Sequence, residues 1–384
     1  MNKSLVNKPM QNLTLNEIAI HCGVGKSTVS RAFNNDPEVS VATRERILAA
    51  AKKLGYSPSQ HESARRLALQ KYGRKVLNQV ISTIFPHYFH QAPYFLRIAN
   101  GILDVLSSVN YAVLQVLANN NSSVDPTYPT IFSRGEVDGI ILGSQMQELL
   151  NALREDSGFS DRPIVSVIHN MPGCSSVLAD DFSGGYQLTM HLLKSGHRHI
   201  LHFYDNVDES VFGKRHAGMV HAMKEWNLDS EIYLHPCHWH WIGPLDPAHV
   251  SEKLSTYLHG ANADLFEKNI AGFLKDLTDK PEITAIVATN DITAMQIWQI
   301  LSDANLSVPE RYSLIGFDDV ASNISDFNGS SLTTIRVPLE EIGRKAAELL
   351  LKKLTEDYTE NCEIVLPVEL IIRESTSVIA EYNY

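Results

Sequence analysis

Hydrophobic positions change rhythm along this 384-residue chain. Between Leu13 and Tyr56 they recur at helical spacing in three short runs separated by two breaks. In the first run Leu15, Ile18 and Ala19 share a face, Thr14 and Glu17 have capping-box spacing, and Gly23 marks the end. Val24-Gly25 makes a tight turn into a second run, Lys26 to Phe33. Ser40 caps a third, in which Ile47, Leu48, Ala51 and Leu54 line one side before Gly55 stops it. Helix, glycine turn, helix and bracing helix is the helix-turn-helix arrangement that lays one helix in a DNA major groove.

From Val76 the rhythm becomes one of apolar strands alternating with amphipathic helices. Val80 to Phe85, Tyr111 to Leu117, Val137 to Leu142 and Pro163 to Ile168 read as strands, with a helix from Tyr94 to Ser108. A second round begins near Asp180. It has helices from Phe182 to Ser195, Ser210 to Trp226 and Ile292 to Asn305, and strands Ile200 to Tyr204, Ile283 to Thr289 and Ser313 to Phe317. The run SLTTIRVPLEEIGRKAAELLLKKL adds a strand and a helix, and EIVLPVELIIREST the last strands. Such βαβ alternation predicts parallel sheets covered on both faces, with the ligand crevice at the C-terminal strand ends. The stretch from Ser251 to Leu265 reads as an insertion or an extended helix and receives no assignment.

Charge divides the chain in the same place. Residues 1–75 carry 13 Lys/Arg against 5 Asp/Glu, whereas the remainder carries 20 against 39. A basic head on an acidic body is what a local phosphate-binding surface needs, and it argues against a three-helix unit that merely packs on the rest. Lys26, Ser27 and Thr28 open the second helix, the end that reaches base edges. Arg31, one turn later, suits a guanine edge or a phosphate, and Asn34 closes the same string. Ser40, Thr43 and Arg44 crowd the start of the third helix, where hydroxyls, a cation and free N–H groups favour phosphate. The division expected is a head over 1–58, a hinge or plain basic linker over 59–75, and a body of two α/β lobes over 76–384.

With 44% hydrophobic residues the body can bury large cores. Four cysteines, Cys22, Cys174, Cys237 and Cys362, stand far apart with no CxxC, which points to reduced thiols in a cytoplasm. MNKSLVNKPMQNL lacks an apolar signal core, and no apolar run approaches the roughly 18 residues of a membrane span. The chain is therefore read as cytoplasmic, without a membrane partner.

The strings GV-K-STVSRAFN, VS-ATRERI and A-KLGYSP, followed by DGIIL, GHRHI, ATND, SVPE, LIGFDD, LTTIR and LIIREST, resemble the lactose-repressor/galactose-repressor (LacI/GalR) family of bacterial transcription regulators. The resemblance runs to the C-terminus and implies a periplasmic-binding-protein-like body of two lobes behind the head. Gly25 departs from the family's usual serine, leaving glycine as the cap. The family's hinge helix has the form A-R-x-L. Here Ala64-Arg65-Arg66-Leu67 comes about two residues later, so Leu67, with Leu69 in reserve, is the candidate minor-groove wedge.

Polar groups converging in an otherwise apolar cleft would form the effector pocket. Arg215 matches a family arginine that reaches the effector, and its fork can hold two ligand oxygens. Asn290 and Asp318 follow strand ends and suit hydroxyls; the bland reading of all three is interlobe hydrogen bonding. Asp291 and Asp319 read as structural. Tyr94 and Phe95 open the first helix of the near lobe, where stacking on a ligand competes with core packing. His169 stands where many relatives carry aspartate, so no relative's ligand is carried over.

In LHPCHWHWIGPLDP, His235, Cys237, His238 and His240 fit no zinc spacing, so no metal and no cofactor are expected; Trp239 and Trp241 are candidates for carbohydrate stacking at the cleft mouth. Hydroxyl-matching groups favour a carbohydrate effector over a nucleobase. The leading expectation is a repressor whose operator affinity is switched by that effector, reading a near-palindromic duplex as a homodimer, since no heptad tail follows Arg373. A regulator answering to a protein corepressor is the alternative. An enzyme is disfavoured because no Walker loop, G-x-S-x-G or HExxH is present.

Overall fold

The computed structural model describes residues 14–33, 38–54, 56, 77–86, 93–118, 130–143, 146–156, 159–203, 211–237, 263–320, 331–356, 358 and 360–379. They fall into two compact units, within Met1–Leu77 and within Asn78–Tyr384.

The first unit is three helices, α1 (Leu15–Cys22), α2 (Lys26–Phe33) and α3 (Val41–Leu54). The capping box forms: Thr14 Oγ1 accepts from the Glu17 N–H, and the Glu17 carboxylate accepts from the Thr14 N–H at 2.6 Å. Gly23 ends α1 at φ 61°, a left-handed conformation costly for a side chain with a Cβ. Ile18, Ala19, Val29, Ala32, Val39, Ile47, Ala51 and Tyr56 make the core. Leu48, expected on the buried side, is 43% exposed. Ile47, Ala51 and Leu54 follow the i, i+4, i+7 stripe, and Leu48 is turned about 100° from it.

The second unit holds two sheets. The first takes β1 (Val80–Pro86), β2 (Ala112–Ala118), β3 (Gly139–Leu142), β4 (Ile164–Val167) and β5 (Ser175–Ala179), with helices α4 (Pro93–Ser108) and α5 (Gln147–Glu155). After β5 the chain crosses into the second lobe. There it runs through α6 (Asp181–Lys194), β6 (Ile200–Phe203), α7 (Val211–Glu225), α8 (Ser230–Tyr233), β7 (Leu234–Cys237), α9 (Ala263–Asp279), β8 (Ala285–Val287), α10 (Asp291–Asp303), β9 (Ser313–Asp318) and β10 (Thr333–Arg336). It returns to lay α11 (Leu339–Thr355) against the first sheet and to add β11 (Glu363–Leu366), then crosses again to end as β12 (Glu369–Ile371). Strand order is β11-β5-β4-β3-β1-β2 in one sheet, with every pair parallel. In the other it is β12-β10-β9-β8-β6-β7, where only β12 runs antiparallel. Two lobes joined by three crossings is the layout of a hinged cleft.

In each lobe a helix pair packs backbone on backbone. A Cβ on Gly101 of α4 would sit 1.9 Å from the Glu340 carbonyl oxygen of α11, and one on Gly343 would meet the Ile98 carbonyl at 2.0 Å. The second lobe repeats the device: Gly185 of α6 abuts the Arg215 carbonyl of α7, and Gly218 abuts that of Phe182. Only glycine permits so close an approach. The contact fixes where α7 presents Arg215.

Strand β5 is absent from the sequence reading, as are β7 and α9. Among the described residues no helix is long and apolar enough to cross a membrane, and all four cysteines are free.

Candidate functional site

Both lobes contribute polar side chains to a site at the C-terminal strand ends, where parallel α/β sheets place their ligands. Arg215, only 12% exposed, is its centre. Its Nε donates to Asp181 Oδ1 at 2.7 Å and its Nη1 to the Thr289 carbonyl at 2.5 Å. The guanidinium lies over the Phe317 ring, 3.5 Å from its centroid. Nη2 faces Asp318, whose Oδ1 is 3.7 Å away. That separation is too long for a hydrogen bond. Asp318 Oδ1 is buried and has no hydrogen-bond partner among the described residues.

The electrostatics follow from two buried carboxylates sharing one cation. Burial pushes the Asp318 carboxyl well above its ordinary range; Asp291 and Asp181 add to the rise and Arg215 opposes it. Burial raises Asp181 too, against the attraction of Arg215. From the first lobe, Tyr94 feels the same charges: burial, then Asp318 and Asp181, hold its phenol well above its usual value, so it is a neutral donor. Burial, with Arg215 and Lys214 adding repulsion, drives His169 down to about 4, so its ring is neutral at physiological pH. Arg215 thus acts electrostatically on Tyr94 and His169 of the first lobe and on Asp318 of the second.

Backbone geometry at this site is unusual. Ile168 has φ 78°, a conformation a β-branched residue rarely adopts, and Asp318 and Asp319 follow one another at φ 108° and 57°. Such strain clusters at ligand sites. Ser166 Oγ donates to the His169 carbonyl at 2.9 Å, anchoring the turn after β4. The turn after β9 is held by Asp319, which accepts from Arg336 Nε at 2.7 Å and Arg373 Nη2 at 2.6 Å. Asp291 accepts from the Val320 N–H at 2.7 Å and from Thr334 Oγ1 at 2.5 Å. Asn290 caps α10, its Oδ1 accepting from the Thr293 N–H at 2.8 Å. Phe95 packs edge-on against Phe85 and Tyr94, with centroids at 5.8 and 5.5 Å. Trp239 and Trp241 lie outside the described residues.

Sequence reasoning did not reach Asp181, Phe317, the Thr289 carbonyl or Arg97. Asp181 opens α6 directly after β5, the strand whose polarity concealed it. Arg97 grips Glu340 through two bonds of 2.6 and 2.8 Å and donates Nη1 to the Asp319 carbonyl at 3.2 Å, joining the lobes.

In the head, Val29, Ala32 and Phe33 turn α2 inward, which leaves Lys26, Ser27 and Arg31 exposed and Thr28 half-buried. Arg31 Nη1 meets Glu38 Oε2 at 2.7 Å. Ser40 caps α3, accepting from the Thr43 N–H at 3.3 Å and donating its own hydroxyl to Thr43 Oγ1 at 2.9 Å. Asn34 and the whole hinge stretch with Leu67 and Leu69 lie outside the described residues.

Known proteins resemble the chain along its length. Residues 14–59 match the model of bacterial regulatory proteins of the lacI family. Residues 78–237 match that of the periplasmic binding proteins and sugar binding domain of the LacI family, and 189–376 that of a periplasmic binding protein-like domain. The HTH-type transcriptional repressor PurR of Haemophilus influenzae is 28% identical over 373 residues, 95% of this chain and 99% of its own. A LacI family transcriptional regulator from Enterococcus faecium with bound ribose shares 25% identity and a TM-score of 0.59, over 78% of this chain and 100% of that one. The lac repressor dimer bound to operator and the anti-inducer ONPF has a similar fold, with a TM-score of 0.65 at 20% identity, over 96% and 100% of the two chains.

Proposed function

This chain belongs to the LacI/GalR family of bacterial transcription regulators, and from that premise we propose a repressor whose operator affinity is set by a small polyhydroxylated ligand, a carbohydrate, held between its lobes. The observation that carries the reading is the buried Asp318 Oδ1, without a hydrogen-bond partner among the described residues, beside a guanidinium that already uses two of its arms. A buried acceptor left unsatisfied costs about 1–3 kcal/mol, more when charged. A ligand hydroxyl would supply the missing donor, bridging Asp318 and Arg215. Tyr94 adds a donor, His169 a neutral ring, and Asn290 an amide that can donate. Phe317, Phe95 and the candidate Trp241 supply apolar faces. The Enterococcus faecium regulator carries ribose, and the matching family model is named for sugar binding.

On the DNA side, Lys26, Ser27, Thr28 and Arg31 of α2 read base edges, joined by Asn34 from the next position in the sequence. Ser40 and Thr43 hold phosphates at the start of α3. Residues 1–58 form the head and 59–75 the hinge, with Leu67 as the wedge, and 76–384 the sensing body. Leu96 and Leu103, seven residues apart on one face of α4, are 39% and 45% exposed, which supports a homodimer reading two half-sites. A ligand with different affinities for two arrangements of the lobes biases the hinge, with coupling on the order of 1–3 kcal/mol.

The test is operator affinity at fixed salt, with and without a panel of sugars and nucleosides. A sugar that shifts DNA affinity about 5- to 150-fold supports the reading. Tight operator binding that ignores every small molecule leaves a DNA-binding protein without a cleft switch.

A further inference from the structure

At the ends of the second sheet's strands away from the cleft, three potential metal ligands meet. His199 immediately precedes β6, His235 is the second residue of β7, and Glu282 stands just ahead of β8. These strands are neighbours in the order β8-β6-β7, so sheet pairing itself gathers the three side chains. His199 Nδ1 and His235 Nε2 are 3.1 Å apart, and the Glu282 carboxylate completes a triad whose ligand atoms all lie within 4.8 Å of one another. The imidazoles are nearly parallel, 22° between planes, and Tyr233 packs against the outer face of His199 at 4.9 Å.

Two ligands bonded to a tetrahedral ion at about 2.0–2.1 Å stand about 3.4 Å from one another. The histidine nitrogens already have almost that separation. Those nitrogens share one hydrogen bond, and a change of tautomer at the donor ring would turn both lone pairs to an ion beside His235. The other charges facing it are Lys280, paired with Asp276 at 3.7 Å, and Glu282 itself. Cys237 is not part of the cluster. It is buried in the second lobe's core, where burial pushes its thiol up to about 12.

We propose that His199, His235 and Glu282 bind a borderline divalent transition-metal ion such as Zn2+, tying together the leading ends of three adjacent strands. Two nitrogens and one carboxylate suit zinc, cobalt or nickel and disfavour the all-oxygen preference of Mg2+ and Ca2+. A fourth position would be left to water. The site is separate from the cleft and does not depend on the effector reading.

The experiment uses the full chain stripped with chelator, equilibrium dialysis against Zn2+ or Mg2+, and the visible absorption of bound Co2+. One zinc per chain, a tetrahedral cobalt spectrum and no magnesium binding are expected. His199→Gln or His235→Gln should lower zinc affinity by about 100-fold or more, because residues behind metal ligands alone are worth about 10–100-fold. Glu282→Gln, at an exposed position, should weaken binding without disturbing the fold. His221→Gln tests the exposed His221–Glu225 pair, whose atoms are 3.4 Å apart, and should change nothing; His238→Gln with His240→Gln should likewise bind normally. Circular dichroism in chelator confirms that each variant is folded. Zinc binding that survives in the His199→Gln/His235→Gln pair, is untouched by Glu282→Gln, disappears only with His221 or His238/His240, or never occurs overturns the proposal.

Discussion

Replacing Asp318 by asparagine should stabilise the free protein and weaken its response to ligand. The carboxylate is 7% exposed, one oxygen lacks a hydrogen bond among the described residues, and the cation beside it, Arg215, is shared with Asp181. Asparagine keeps the shape, tolerates the residue's φ of 108° better than most side chains, and removes a buried charge. Removing the charge from a buried, incompletely bonded carboxyl is worth about 1–3 kcal/mol, while the amide keeps one oxygen as an acceptor. The sign with pH is fixed by the direction of the shift. A carboxyl whose folded pKa is raised contributes stability below the unfolded value and loses it as pH rises, so the gain from Asp318→Asn should be larger at pH 7 than at pH 4. Binding should move the other way. A buried polar partner left unmatched costs about 1–3 kcal/mol, which corresponds to roughly 5- to 150-fold in effector affinity. Urea unfolding at both pH values, alongside calorimetry with the sugar found by the operator screen, measures both effects. A variant that is destabilised at pH 7, or that binds the sugar as tightly as the parent, refutes the assignment of Asp318 as an acceptor held ready for ligand.

Arg215→Met should behave oppositely, destabilising the body by about 3–5 kcal/mol in denaturant because two buried carboxylates lose their cation; adding Asp181→Asn should recover part of that loss. Arg31→Ala should relax base preference by about 1–3 kcal/mol in competition binding between operator variants, whereas Thr43→Ala should weaken all sequences alike. His197, 1% exposed and bonded to Thr284 Oγ1 and the Ser377 carbonyl, is held down to about 4 by burial. Its folded pKa lies below the unfolded one, so its contribution is intact above about pH 6.5 and is lost toward pH 4, on the order of 3 kcal/mol. Unfolding curves across that window should show a shallower slope for His197→Gln.

Much of the fold was legible because local chemistry and hydrophobic period agreed. Thr14, Glu17 and Gly23 form the caps their spacing announces, and the strands at Val80, Gly139, Ile164 and Ser313 are the apolar runs. β5 was hidden by its polarity. Ser175 and Ser176 are buried, yet their hydroxyls bond the Cys362 N–H and Ser166 Oγ, neighbours no local pattern can supply. β7 was hidden by proline, which an edge strand accepts because one row of its N–H groups has no ladder partner; Pro236 is exposed there. In α9, Ile270, Phe273, Leu274 and Leu277 do follow helical spacing, but the unassigned stretch before them blurred the start. At the site, resemblance indicated Arg215, and strand-end position marked Asp318. The partners that orient them, Asp181 and Phe317, lie 34 and 102 residues from Arg215 in the sequence and meet it only through the sheet.

The return of the chain to its first lobe after completing most of the second has a consequence for synthesis. α11 and β11 finish a lobe begun near residue 80, and β12 closes the edge of the other only a few residues later. While the ribosome is still adding residues, neither half has its full complement of strands, so both become complete almost together. A premature stop anywhere before about residue 366 therefore damages the two lobes at once, and no shortened polypeptide ending there retains one intact half.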